Sequence, residues 1–80
     1  MTDTLYNINI ERAILSSILY NPETFENIAS EIKKDDFYLR DHANIFQVMD
    51  ELSNEDKPID EEFIKKKLQQ KNEYKEDILL

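Results

Sequence analysis

Apolar residues recur at the spacing of one helix face in four segments of the chain, and polar stretches separate these segments. In the first segment, Ile10, Ile14 and Ile18 repeat every four residues, which places them on one side of an α-helix. Asn9 is the predicted N-cap, and Glu11 stands in the predicted first turn, where the helix dipole favours a negative charge. The segment therefore predicts an amphipathic helix that begins at Asn9.

The second segment shows the same one-face pattern, beginning with Phe25 and Ile28. Asn21 is a suitable cap in front of it. Pro22 suits the first helical position, because its missing N–H group would have no partner within the helix there. We expect one helix from Pro22 to about Lys33.

The third and fourth segments have clear start and stop signals. A new apolar stripe predicts a third helix that begins near Arg40 or Asp41 and ends in the polar run before Pro58. Asp60 is the predicted cap of the fourth helix, and Asn72 is predicted to end it.

No segment has the pattern of a β-strand. Apolar and polar residues never alternate for more than a few positions, and the Asn-Gly and Asp-Gly pairs typical of hairpins are missing. The sequence predicts an all-α fold, a small orthogonal bundle of four to five short helices. The predicted core consists of Ile14, Leu15, Ile18, Phe25, Ile28, Ile32, Ile45, Phe46, Met49, Leu52 and Ile64.

We expect residues 1–8 to form an N-terminal arm and residues 9–80 to form one helical head. Residues 76–80 are predicted to open a fifth helix that is cut off, so the chain end is interpreted as a truncation. A core of this size supplies at most about 3–5 kcal/mol. The chain has no cysteine for a disulfide, so its stability is expected to be marginal.

Charge and composition exclude several functions. The net charge of −8 disfavours binding to DNA or to an anionic membrane, since both need clustered basic residues. No glycine is present, so neither a Walker A loop nor a dinucleotide fingerprint can be formed. The N-terminus lacks the features of a secretory signal, and no apolar stretch is long enough to span a bilayer. We expect a cytoplasmic protein.

No group of residues predicts catalysis or metal binding. His42, the single histidine, is four residues before Phe46, which favours a role in packing or at a helix start. The acids between Asp50 and Glu62 lack the spacing of a calcium loop, so a solvated surface or a docking surface for a basic partner explains them. The lysines at 65–67 are explained by the helix dipole and by pairs with Glu61 and Glu62 one turn earlier.

Two adjacent aromatic residues, Phe37 and Tyr38, stand in the connector before the third helix. Such a pair usually places one ring in the core, while the other covers a helix end or stands at a partner interface. Both interpretations of the second ring stay open at this point.

The order of these motifs resembles the N-terminal domain of DnaB-family replicative DNA helicases. The resemblance starts at Asn9-Ile10-Glu11, the opening of an Ile/Leu-rich helix, and covers about residues 7–80. Its other elements are the cap Asn21-Pro22, the motif Asp36-Phe37-Tyr38, then His42 followed by Ile45-Phe46, and finally Pro58-Ile59-Asp60. The chain departs from the family in having no glycine in the first helix or after the fourth.

The resemblance implies a non-catalytic head of the helicase N-terminal collar. In such proteins the collar serves hexamer assembly and docks the C-terminal region of primase, and a helicase loader is a further expected partner. ATP and Mg²⁺ would belong to the motor domain of the parent helicase, with no cofactor in this segment. A standalone acidic helical adaptor is the alternative, and a small enzyme is disfavoured by the lack of a catalytic group.

Candidate partner contacts are polar or aromatic residues off the four apolar stripes: Tyr20, Tyr38, Asp50 and Glu51. Tyrosines could anchor a partner, while acids would mainly steer a basic one. Charge reversal at Asp50 and Glu51 is expected to slow association, and Tyr38→Ala is expected to raise the dissociation rate.

Overall fold

The amphipathic segments form α-helices that short turns and loops connect. The computed structural model describes residues 4–75, and the side chains of residues 7–75. All the regular elements in this range are helical, which confirms the all-α prediction. The predicted fifth helix at 76–80 lies outside the described residues. The helices are α1 (Thr4–Tyr20), α2 (Phe25–Ala29), α3 (Arg40–Asn54) and α4 (Glu61–Gln70), with 3₁₀ turns at Pro22–Thr24 and Lys34–Asp36.

Helix α1 begins at Thr4, so the prediction of an N-cap at Asn9 is wrong. No proline or glycine lies between residues 4 and 9, and nothing there interrupts the backbone hydrogen-bond ladder. Residues 4–8, which the sequence placed in an arm, are helical. The division of the chain into an arm and a head stays a prediction.

The buried face of α1 also differs from the predicted isoleucine stripe. Leu15 and Ile18 are completely buried, whereas Ile10 is 41% exposed and Ile14 is half-buried. Residues 11, 15 and 18 are one helical turn apart in succession, so the buried face is centred on them. Glu11 therefore faces the core, where it is 8% exposed.

The second predicted helix is shorter than expected. Pro22 opens a 3₁₀ turn, the side chain of Asn21 makes no capping hydrogen bond, and α2 ends at Ala29. The Ser30 hydroxyl donates to the carbonyl of Asn27 (2.7 Å), the kind of local bond that competes with helix continuation. Lys33 is fully extended, at φ −121° and ψ 165°, so the helix cannot reach it.

Helix α3 supplies more buried hydrophobic residues than any other helix, and its start and end match the prediction. The Phe46 ring lies between two other rings, with centroid distances of 5.3 Å to Phe25 and 5.1 Å to Phe37. Most of the predicted core residues are buried, while Ile14, Ile28 and Ile32 pack only partly against the cluster. The predicted core omitted four buried residues, Phe37, Val48, Ile59 and Leu68.

Helices α3 and α4 end in the same way, with a non-glycine residue in the left-handed region. Asp56 has φ 59° after α3, and Asn72 has φ 60° after α4, which confirms Asn72 as the stop signal. After each helix, the next N–H group donates back to a carbonyl in its last turn: Lys57 to Leu52 (2.9 Å) and Glu73 to Leu68 (2.8 Å). This is the Schellman motif, which usually contains glycine.

Helix α4 is capped as predicted, because the Asp60 carboxylate accepts from the N–H group of Phe63 at 2.9 Å. Its predicted pairs along one face, Glu61 with Lys65 and Glu62 with Lys66, are not among the ion pairs within residues 4–75. Lysines of α4 and of the residue after it bind the acids of α3 instead. These contacts join Lys67 to Glu55 (2.9 Å) and to Glu51 (3.6 Å), and Lys71 to Glu51.

Candidate protein-interaction site

A buried carboxylate links α1 to the start of α3. The Glu11 Oε1 atom lies 2.9 Å from Nδ1 of His42, and both side chains are almost completely buried. The N–H group of Leu39 donates to the same oxygen at 3.3 Å, and that of Tyr38 donates to Oε2. The Glu11 carboxylate therefore contacts three polar groups at the start of α3: two backbone N–H groups and the His42 ring.

This network holds the backbone in front of α3. Leu39, the N-cap residue of α3, has no side chain that can cap the helix. Glu11 reaches across from α1 and binds the backbone in front of the helix, while His42 completes the contact from the first turn. The interpretation of Glu11 as a first-turn dipole residue is wrong, because α1 begins seven positions earlier, at Thr4. Its position one helical turn before Leu15 and two turns before Ile18 was the signal for burial.

The residues of the predicted motif converge around this link. The Asp36 carboxylate accepts from the Lys33 N–H group at 2.9 Å, at the start of the 3₁₀ turn. Phe37 enters the core beside Phe46, and Ile45 is buried next to it in α3. His42 takes the helix-start position that the sequence favoured for it. Within residues 4–75, no His, Asp and Glu side chains form a group that could hold a metal ion.

Tyr38 is 61% exposed even though its backbone is held by Glu11. Of the two adjacent aromatics, Phe37 is therefore the core ring and Tyr38 the surface ring. Tyr38 stands at a groove of about 280 Å³, which we call the Tyr38 groove. Its polar lining comes from Lys34, Asp35, Tyr38, Arg40 and Asn44.

Tyr20 is 94% exposed at the end of α1. It lines a second groove of about 410 Å³, the Tyr20 groove, between α1 and the start of α4. Leu19 and Ser16 form one wall, and the acids Asp60 and Glu61 form the other. This groove joins an exposed aromatic ring, apolar surface and two carboxylates, which is the composition expected for contact with a basic protein segment.

The remaining two candidates do not join either groove. Asp50 is half-buried and lines a different depression, beside Ile32 and Phe46. Glu51 is engaged by Lys71 and Lys67. Burial by itself raises the pKa of the Glu51 carboxyl, but the hydrogen bond from Lys71 and the nearby lysine charges hold that pKa below its usual range.

The sequence matches one protein family over nearly its whole length. The family model described as the DnaB-like helicase N terminal domain matches residues 3–79. The chain belongs to this family. The match confirms the resemblance that the ordered motifs indicated, and it places both tyrosine grooves and the Glu11–His42 link within a DnaB-like domain.

Curated relatives of this DnaB-like domain are much longer proteins. The replicative DNA helicase DnaB of Helicobacter pylori strain 26695 is 36% identical over 72 residues, which cover 90% of this chain and 15% of that protein. DnaB of Pasteurella multocida is 38% identical over 55 residues, or 69% of this chain and 12% of that protein. The chain thus spans about 15% of the length of these relatives or less.

A solved structure has the same fold. It is described as the N-terminal domain of the DnaB helicase from Helicobacter pylori and its interactions with primase. The two structures superpose with a TM-score of 0.85 at 34% sequence identity, covering 95% of this chain and 65% of the other. No helix within residues 4–75 is long and apolar enough to cross a membrane.

Proposed function

We propose that this DnaB-like domain is a non-catalytic interaction module that docks the C-terminal region of primase. The observation that carries the proposal is the structural match to the Helicobacter pylori domain, which is described together with its interactions with primase. The match covers 95% of this chain, so the surfaces compared belong to the same fold.

The Tyr20 groove is the part of the surface that best fits such a role. Tyr20 is the most exposed large side chain among the described hydrophobic residues. Aromatic residues of this kind carry much of the energy of protein interfaces, because they bury a large area at a small entropic cost. Asp60 and Glu61 beside it would orient a basic segment of the partner.

The proposal extends to a whole protein like the curated relatives, which are named replicative DNA helicases. In such a protein the domain would serve hexamer assembly and would stand near a helicase loader. ATP and Mg²⁺ would serve DNA unwinding in other domains, because a chain without glycine cannot build a phosphate-binding loop. The expected location of this protein is the cytoplasm, where a replication fork would be accessible to it.

Calorimetric titration with the C-terminal region of primase tests the proposal. We expect saturable binding to the wild-type chain and a loss of about 30-fold or more in affinity for Tyr20→Ala, the range of an interface hot spot. Tyr38→Ala is the matched comparison, because it removes the same side chain from the other groove. No binding to the wild-type chain would contradict the docking role, and a loss confined to Tyr38→Ala would contradict the Tyr20 site.

Association kinetics separate steering from anchoring. Asp50→Lys is the better charge reversal, because Glu51 also holds Lys71 and Lys67 and its reversal would disturb the α3–α4 contact. We expect Glu61→Lys, in the Tyr20 groove, to slow association more than Asp50→Lys does, with a weaker dependence on salt. If Glu61→Lys and Asp50→Lys slow association equally, the net charge of the domain steers the partner, and the Tyr20 groove has no special part in steering.

A further inference from the structure

The two tyrosine grooves differ in charge. The Tyr20 groove carries the acids Asp60 and Glu61, whereas the Tyr38 groove carries the cations Lys34 and Arg40 beside a single acid, Asp35. A basic groove is unusual on a chain with 18 acidic and 10 basic residues. The Tyr38 groove is not part of the proposed primase site, so it could bind a different partner.

The two cations of the Tyr38 groove are not engaged by acids in the described part of the chain. Both are exposed, and neither takes part in an ion pair within residues 4–75. Arg40 is the first residue of α3, where the helix dipole disfavours a positive charge. Four other lysines, Lys57, Lys67, Lys71 and Lys75, do have acid partners.

The backbone that carries the aromatic ring of this groove is held in place. The N–H group of Tyr38 donates to the buried Glu11 carboxylate, and the preceding Phe37 ring is packed in the core. The backbone of Tyr38 is therefore already ordered before a partner binds, so binding costs little backbone entropy there. Preorganisation of this kind lowers the entropic cost of recognition.

We propose that the Tyr38 groove binds an exposed acidic segment of a partner protein, a second docking function that goes beyond the proposed contact with primase. Lys34 and Arg40 would bind a carboxylate, and Arg40 can do so with two parallel hydrogen bonds. An apolar or aromatic residue beside that carboxylate would pack on the Tyr38 ring.

Asp35, the acid in the same groove, selects among anions. Its negative charge opposes a doubly charged phosphate more than a singly charged carboxylate. The acids elsewhere on the chain oppose a long polyanion such as nucleic acid, but salt screens charges beyond roughly 8–10 Å. The groove therefore favours a short acidic protein segment over a nucleic acid strand.

A titration followed by amide NMR shifts of the whole chain tests this proposal. The probe is a short peptide rich in aspartate and glutamate with one phenylalanine. The control peptide has asparagine in place of each aspartate and glutamine in place of each glutamate. We expect the acidic peptide at physiological salt to shift resonances around Lys34–Asp36 and Arg40–Asn44, and the amide peptide to bind at least about tenfold more weakly.

The double variant Lys34→Gln with Arg40→Gln should weaken the acidic peptide about tenfold. Arg12→Gln with Lys66→Gln is the matched control, since it removes two exposed cations that do not line the groove and gives the same net charge. Both spectra also report whether the fold is intact.

Equal weakening by the two double variants, or no shifts at the groove, would overturn the proposal. Tighter binding of single-stranded oligothymidylate than of the peptide at the same residues would also overturn it, in favour of nucleic acid. The primase titration is independent of these outcomes, because Tyr20 and the Tyr38 groove are changed separately.

Discussion

Glu11 and His42 are 31 positions apart in the chain, yet Oε1 of the first lies 2.9 Å from Nδ1 of the second inside the domain. This contact fixes α1 against the first turn of α3. Because Glu11 also accepts from the backbone in front of α3, the same side chain sets where that helix starts and where Tyr38 emerges. The core and the candidate interaction surface thus share one polar link.

Removal of the Glu11 carboxylate should lower the free energy of unfolding strongly. Glu11→Ala leaves the N–H groups of Tyr38 and Leu39 and the His42 ring without their buried acceptor, at an expected cost of about 3–5 kcal/mol. Urea unfolding measures the loss, and Glu26→Ala on the exposed side of α2 should change stability by less than about 0.5 kcal/mol. A double-mutant cycle with the milder variants Glu11→Gln and His42→Gln, which keep the side-chain volume, should show coupling of about 0.5–3 kcal/mol, and additive losses would disprove the link.

The three packed phenylalanine rings are a second determinant of stability. Phe46→Ala should cost about 3–5 kcal/mol, comparable to the whole stability of so small a domain, because it opens a cavity between Phe25 and Phe37. Thermal melts followed by circular dichroism would show the loss. Tyr20→Ala, at an exposed aromatic, is the control and should melt like the wild type. A normal melt for Phe46→Ala would show that the rings do not carry the core.

The acids of α3 make stability depend on pH. Hydrogen bonds from Lys67 and Lys57 lower the pKa of Glu55, and the lysines near Glu51 outweigh the effect of burial and lower its pKa too. Their contribution is therefore present above the usual glutamate pKa and is lost as the pH falls through the lowered values. The bond to Glu55 raises the pKa of Lys67, whose contribution is lost only at strongly alkaline pH.

Urea unfolding at several pH values checks this dependence. The wild type should exceed the double variant Glu51→Gln with Glu55→Gln in stability at neutral pH, and the difference should shrink as the pH falls from about 5 to about 3. Glu23→Gln with Glu26→Gln removes two exposed acids and serves as a control with equal charge. A difference that does not change with pH, or one shared by the control, would contradict the role of these pairs.

The two left-handed residues predict a gain in stability. Asp56→Gly and Asn72→Gly should each stabilise the domain by about 0.5–1 kcal/mol, since glycine adopts positive φ without the steric cost that a Cβ atom brings. The gain should be larger at Asp56, because asparagine is the better tolerated residue at such a position. Gln69→Gly, inside α4, should lose about 1 kcal/mol. Destabilisation by both of the first two variants would exclude this account of the helix ends.

Features that depend on neighbours in sequence were predictable. The stripe of α3, the proline after it and the Asp60 cap all act within one or two helical turns, and the structure has them where the sequence placed them. The family motifs were visible for the same reason. The cap at Asn9 failed because an N-cap residue is also tolerated inside a helix when nothing else interrupts the chain.

Features that depend on distant residues were not predictable. From the sequence alone, Glu11 is expected to be a surface acid. Its burial depends on the backbone of Tyr38, which is 27 positions away in the chain. The partners of Lys67 and Lys71 lie on α3, so a pattern within α4 could not reveal them. Likewise, Tyr20 and Glu61 form one groove only because α1 and α4 meet there. The candidate site is a product of packing between helices.

Docking through the Tyr20 groove is measured most directly by amide chemical-shift mapping of the whole chain during titration with the C-terminal region of primase. If this domain docks primase through the Tyr20 groove, the largest shifts will fall on Ser16–Tyr20 and Asp60–Glu62 and will saturate together. They will be much reduced in Tyr20→Ala while the rest of the spectrum is preserved. Saturating shifts confined to other surfaces, or none at high primase concentration, would contradict the assignment.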